Sequence, residues 1–178
     1  MKASTQSVEP VVSYYVASFI PGATALRLGR LAGRLSAGID PHTPDHLHIT
    51  WRSFDGLPHG ALSPLKQALA AVAARHPPLT LELLGGGVFA AGAVWARVCS
   101  AAPVLDLQAD IDAALRGLSL PDASYPFAPH ITLGVGPPGT RVPSLLHDLS
   151  CRVVIDEFAL TTTGTQPYRV VRHFELEG

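Results

Sequence analysis

The chain has 178 residues, of which 47% are hydrophobic and only 15% charged, which fits one folded unit with a sizeable core and excludes a charge-rich disordered chain. A net charge of −1 and a pI of about 6.7 exclude a global basic surface for gripping long nucleic acid, and leave open a short or terminal nucleic-acid ligand held by a few local groups. Cys99 and Cys151 stand far apart, outside any zinc or CxxC spacing, and read as two buried thiols.

In chain order, residues 1–10 are polar, without an apolar signal core, and read as a flexible N-terminus. Residues 11–20 form a Val-, Tyr- and Phe-rich strand that ends at Pro21-Gly22. Leucines at 26, 28, 31 and 35 give residues 24–35 the period of an amphipathic helix. Residues 39–45 carry two prolines and read as a loop, and 47–54 alternate as a strand. Residues 63–75 are Ala- and Leu-rich, with Pro64 suited to a helix start and His76-Pro77-Pro78 to its stop. Two strands, 79–84 and 93–99, flank a glycine-rich connection. A helix at 104–118 ends near Pro121, a strand covers 125–135, and a short helix covers 141–149. Strands at 152–161 and 168–175 form a hairpin with a turn at Gly164. About seven strands and four helices in mixed order, with no linker, describe an α+β layout. The longest uncharged run, 83–96, is broken by glycines and is too short to span a membrane, so the expectation is a soluble, cytoplasmic protein.

Two segments carry the chemistry. His46-Leu47-His48-Ile49-Thr50-Trp51 and Pro129-His130-Ile131-Thr132-Leu133 each hold a His-Ile-Thr triplet inside an apolar strand, where random shuffling would give about 0.02 such triplets. On a strand, residues i and i+2 share a face about 6–7 Å apart, so imidazole and hydroxyl project together. The imidazole exchanges a proton near neutral pH and the hydroxyl can donate to a phosphate oxygen. Two such pairs facing across a cleft would set a base on one side of a phosphorus and an acid on the other, which suits in-line displacement without a metal.

With these motifs the chain resembles the 2H phosphoesterases, which include RNA 2′,3′-cyclic phosphodiesterases and the enzymes called 2′-5′ RNA ligases. Their signature is a pair of His-x-Thr motifs, each followed by an apolar residue; here His48 and His130 lie 82 residues apart. Phe127-Ala128-Pro129-His130-Ile131-Thr132-Leu133 is similar to the family's second motif, Gly87-Val88-Phe89 with Val94-Trp95 to its intervening strand pair, and residues 158–176 to its closing hairpin. The resemblance covers about residues 11–176. It implies a single bilobal domain over 11–178: two mainly antiparallel sheets related by a pseudo-twofold axis, flanking a central cleft, with helices outside. It also implies opening of a cyclic phosphate, or making or breaking of a 2′-5′ phosphodiester, with no metal or other cofactor. His130 would activate water and His48 would protonate the departing ribose oxygen, with Thr50 and Thr132 binding the phosphate. The partner would be an RNA end or a small cyclic nucleotide, and the protein a monomer with no membrane contact. Where relatives carry an Arg shortly after the second motif, this chain has Gly134-Val135-Gly136; Arg52, in phase with His48 and Thr50 on strict alternation, is the candidate substitute.

Other features read more plainly. His42, His46 and His48 cluster, but the carboxylates nearby do not complete a metal-ligand spacing, and His46 reads as a supporting or rim residue. Gly85-Gly86-Gly87 lacks the Lys-Ser/Thr of a P-loop and reads as a tight loop. Trp51, Trp95, Tyr125 and Phe127 could stack on a base, though core packing is the plainer role of each. A non-catalytic RNA-end or nucleotide-binding module on the same scaffold is the alternative function, and a plain interaction domain a third; histidine at both motif positions favours the enzyme, since binding alone could use Lys or Arg.

Overall fold

Alternating apolar side chains build most of the strands, and helical runs of Leu, Ile and Val build the layer that covers them. The computed structural model describes residues 12–35, 37–120, 126–163 and 169–178. Its strands are β1 (Ser13–Phe19), β2 (Asp40–Pro41), β3 (His48–Asp55), β4 (Leu79–Val88), β5 (Ala93–Val98), β6 (His130–Val135), β7 (Ser150–Ile155), β8 (Glu157–Thr163) and β9 (Arg169–Glu175). The helices are α1 (Gly22–Ala32), α2 (Leu62–Ala73) and α3 (Ala102–Gly117), with 3-10 turns at Pro44–His46 and Ser144–Leu146. Val104, Leu107, Ile111 and Leu115 line one face of α3 and are fully buried, each worth about 1.5–3 kcal/mol on removal from water. That face packs on β3 and β4, while α2 packs on α3 and β9, and α1 lies near β6.

All strand pairs are antiparallel, so the fold is α+β with helices flanking an antiparallel sheet. The expectation of two sheets is corrected: the strands form one sheet in the order β7-β4-β5-β6-β3-β1-β8-β9, with β2 added alongside β6. Its halves join at β3 and β6 through one residue pair, Ile49 with Ile131. The expected single strand at 152–161 breaks at Asp156, with β7 at one end of the sheet and β8 next to last at the other. A single residue spanning that interval requires the sheet to curl back on itself.

Four further differences have local causes. The strand expected from residue 125 starts at His130, because Pro126 and Pro129 offer no N–H to a ladder. The helix expected at 141–149 shrinks to the Ser144–Leu146 turn behind Pro143. The loop at 39–45 contains β2 and the first 3-10 turn; Gly134 admits β2, since a Cβ there would lie 2.6 Å from the Asp40 carbonyl oxygen. The glycine-rich connection belongs to β4, with an irregularity between Leu83 and Gly86. Gly87 pairs with Trp95, and a Cβ on it would lie 2.5 Å from the indole ring. The expected flexible segment 1–10, Pro121, Tyr125 and the turn at Gly164 lie outside the described residues. Cys99 and Cys151 are free thiols, half-buried rather than buried.

Gly87→Ala is expected to cost about 1–3 kcal/mol by overpacking against Trp95. A lowered urea midpoint with an unchanged slope checks this; an unchanged midpoint would mean that the indole has room to move.

Candidate active site

The Ile49–Ile131 pair positions the two motifs. Both isoleucines are fully buried, and the flanking His48, Thr50, His130 and Thr132 are half-buried, so the four polar side chains share the opposite face of β3 and β6. The antiparallel register through that pair sets His48 alongside Thr132 and Thr50 alongside His130. Each histidine therefore neighbours the hydroxyl of the other motif as well as its own.

Both imidazoles are anchored in the same way. His48 donates from Nδ1 to the carbonyl of His46 at 2.7 Å, and His130 donates from Nδ1 to the carbonyl of Ala128 at 2.6 Å. An Nδ1–H held by a carbonyl leaves Nε2 as the atom that gains and loses a proton. His46 thus supports His48 through its backbone. Phe19 lies 5.7 Å from the His48 ring; Phe89 meets His130 edge-on at 4.9 Å, and Trp95 lies 6.3 Å from it.

Arg52 does not follow the alternation expected of it. Thr50 pairs with Ala17 and Arg52 with Val16, so Trp51 is an inserted residue, a β-bulge. Past the bulge the faces exchange, and Ile49, Trp51, Arg52 and Phe54 are all buried. Trp51 donates to Ser18 Oγ at 2.9 Å, and Ser18 donates to the Glu157 carbonyl at 2.7 Å, which ties the bulge to β1 and β8. Arg52, 4% exposed, reaches α3 and ion-pairs through Nε with Asp112 at 3.2 Å. Its charge is thereby compensated away from the histidine face. Arg97 takes the position on that face: it pairs with His130 across β5 and β6 and is exposed. Alternation along β5 already sets Trp95 and Arg97 on one face, but their adjacency to the second motif requires the strand order.

Beyond the Ile49–Ile131 pair β3 and β6 make no further pairing, and a cavity of about 1050 Å³ opens between residues 50–53 and 126–130. Thr50 and His130 lie at its wall, with Phe89, Phe127, Arg52, Gln108 and Asp112. His48 and Thr132 are not among the lining residues and lie across the strand pair from it. The rings of Trp51 and Phe127 stack at 6.1 Å, so Trp51 is core and the half-buried Phe127 packs over it.

Burial holds the His48 pKa below the ordinary histidine value; the bond to the His46 carbonyl opposes this, and the neighbouring imidazoles of His42, His130 and His46 add to it. Burial and His46 likewise lower His42, against the pull of Asp40. His48 is thus neutral near pH 7 in the empty site. Among the described residues no group of three His, Cys, Asp or Glu is placed to hold a metal ion, the His42, His46 and His48 cluster included.

Residues 20–167 match the 2′-5′ RNA ligase superfamily. The chain is 32% identical over 127 residues to an RNA 2′,3′-cyclic phosphodiesterase of Geobacillus stearothermophilus, an alignment covering 67% of this chain and 40% of that protein, so the chain spans less than half the relative's length. Its fold is similar to TT0787 of Thermus thermophilus, with a TM-score of 0.81, 26% identity, and 93% of this chain and 98% of that one covered. It is also similar to E. coli LigT complexed with 3′-AMP, with a TM-score of 0.76, 18% identity, and 95% and 100% covered, a likeness of fold. No helix among the described residues is long and apolar enough to cross a membrane.

His48 and His42 bind protons less readily folded than unfolded, so the unfolded chain protonates first as pH falls. Their contribution to stability is complete above the unfolded value of 6.5 and is lost as pH falls through the lower folded values. The urea midpoint should fall between about pH 7.5 and pH 5. His48→Asn, whose amide can still donate to the His46 carbonyl, should reduce that fall; an identical pH dependence in both proteins would contradict a buried, neutral His48.

Proposed function

This chain belongs to the 2′-5′ RNA ligase superfamily of 2H phosphoesterases, and from that premise we propose that it is a metal-independent phosphoesterase. It opens 2′,3′-cyclic phosphate ends of RNA or of nucleotides by acid/base catalysis through His48 and His130; with an RNA 5′-hydroxyl in place of water, the same opening breaks the bond from phosphorus to O3′ and makes a 2′-5′ phosphodiester, a ligation. The observation that carries this reading is the matched anchoring of the two imidazoles, each holding its Nδ1–H on the carbonyl two residues before it and leaving Nε2 to react. We read the two halves of the sheet as lobes related by a pseudo-twofold axis through Ile49 and Ile131, which would account for both the repeated triplet and the repeated anchor. The protein would act as a soluble, cytoplasmic monomer.

In the hydrolytic direction a water oxygen bonds to phosphorus while the bond from phosphorus to one ribose oxygen breaks. His130 Nε2 takes the water proton and His48 Nε2 delivers a proton to the departing oxygen, so both transfers are complete without a metal. In the reverse reaction the two roles exchange. Thr50 and Thr132 donate to the non-bridging oxygens, and Arg97, beside His130, supplies positive charge at the rim. Arg52 serves the substrate from the far end of the cavity, through its partner Asp112. Burial keeps His48 neutral in the empty site; the phosphate anion opposes that burial, so His48 takes up its proton as substrate binds.

His48→Ala and His130→Ala should each lower turnover of a 2′,3′-cyclic nucleotide by about 10²–10⁴, and the double variant should be little worse than the worse single. Thr50→Val and Thr132→Val should cost about 1–3 kcal/mol each in transition-state stabilisation. Near-wild-type turnover of folded His130→Ala, checked by circular dichroism, would leave a binding module as the better reading. Activity should also survive a chelator; loss restored by one divalent ion would overturn the two-imidazole mechanism. Calorimetry of nucleoside 3′-monophosphate binding near pH 7, in buffers of differing ionisation enthalpy, should show proton uptake that His48→Asn abolishes; equal heats in all buffers would exclude His48 as the group that charges.

A further inference from the structure

Arg97 brings an uncompensated charge to the histidine face. It pairs with His130 across β5 and β6 and is exposed. Among the described residues it makes no ion pair and no side-chain hydrogen bond. Arg52, Arg75 and Arg152 differ in this respect, held by Asp112, Asp110 and Glu82. Glu82 lies on β4, the other neighbour of β5, but Arg152 donates to it from Nε at 2.7 Å, so that carboxylate is already engaged. An open guanidinium beside a phosphate-handling histidine suits an anion of the substrate.

Position distinguishes which anion. β5 borders β6 on the side away from β3, so Arg97 stands about 4.8 Å, one strand spacing, outside His130. It is not among the residues that line the cavity. In the proposed mechanism the reacting phosphate lies on the inner side of His130, between β6 and β3. The charge of Arg97 is therefore displaced outward from the reacting group by the width of a strand.

We infer that Arg97 binds the phosphodiester on the 5′ side of the reacting nucleotide, so that the site takes the 3′ end of an oligoribonucleotide in preference to a free cyclic mononucleotide. The inference rests on the phosphoesterase reading of His48 and His130. In a 2′,3′-cyclic end the reacting phosphorus is closed on O2′ and O3′ of the last ribose, so the next anion along the chain is one ribose away, on the 5′ side. That phosphate can lie over β5 while the reacting one lies between the imidazoles. The planar guanidinium can donate two parallel N–H bonds to its non-bridging oxygens. A cyclic mononucleotide carries a 5′ hydroxyl there and leaves Arg97 to water. One such contact needs no wide basic surface, which agrees with a net charge of −1.

The test uses three substrates with the same 2′,3′-cyclic terminal nucleotide: the mononucleotide, a dinucleotide with a normal phosphodiester, and that dinucleotide with an uncharged methylphosphonate linkage. The phosphodiester dinucleotide should exceed the other two by about tenfold in kcat/KM. The matching 3′-phosphates should bind in the same order by calorimetry. Arg97→Gln should bring the charged and uncharged dinucleotides within about threefold of each other, and Arg97→Lys, which keeps the charge without the planar fork, should retain part of the difference. Equal turnover of the two dinucleotides by the wild-type protein would overturn the subsite. So would an Arg97→Gln protein that loses turnover on all three substrates and keeps the tenfold preference, which would confine Arg97 to the reacting phosphate. Absence of hydrolysis, with the binding order kept and lost in Arg97→Gln, would overturn the phosphoesterase reading and leave the subsite standing.

Discussion

Ile49 and Ile131 form the single residue pair through which the two halves of the sheet are hydrogen-bonded, and both side chains are fully buried. Because strand side chains alternate, burying these two isoleucines turns the histidine and threonine on either side of each onto the opposite face. A slip of one residue in either strand would send an imidazole into the core and an isoleucine into the cleft. One apolar contact therefore sets the register of the two His-Ile-Thr motifs. Pairing ends there, and the strands separate beyond it, which makes room for the cavity against Thr50 and His130.

The bulge at Trp51 divides β3 between two tasks. Before it, His48 and Thr50 lie on the face opposite the buried Ile49; after it, Arg52 and Phe54 turn to the buried side, where Arg52 reaches α3. The ties from Trp51 to Ser18 and from Ser18 to Glu157 fix where the change occurs, and Asp112 on α3 receives the cation that the change buries. Burial of His48 has a related consequence. It weakens the grip of that imidazole on a proton, which in the proposed mechanism is what couples its charging to the arrival of an anion.

Much of this was legible in the sequence, and the parts that were not share a cause. The repeated His-Ile-Thr, the period of α3 and the strand character of residues 47–54 are local patterns that the structure keeps. The bulge is invisible in Trp51-Arg52-Ser53-Phe54, where strict alternation reads equally well, because it answers to Ser18 on another strand. Gly85-Gly86-Gly87 looked like a loop because glycine punctuates turns, yet Gly87 is set by the indole of Trp95 across the ladder. Arg97 and Asp112 belong to no sequence motif, and only the tertiary structure gives them a place. The strand order sets the first beside His130, and the packing of α3 on β3 brings the second to Arg52.

The proposal that the two imidazoles share one phosphate through their Nε2 atoms is tested most directly by 15N NMR of the histidine rings, recorded before and after addition of a nucleoside 3′-monophosphate. Nδ1 of His48 and of His130 should carry a proton in both states, and Nε2 of both rings should shift on binding, with His48 moving toward the imidazolium. A response confined to one of the two rings, or an unprotonated Nδ1 on either, would contradict a site in which both histidines work on the same phosphate.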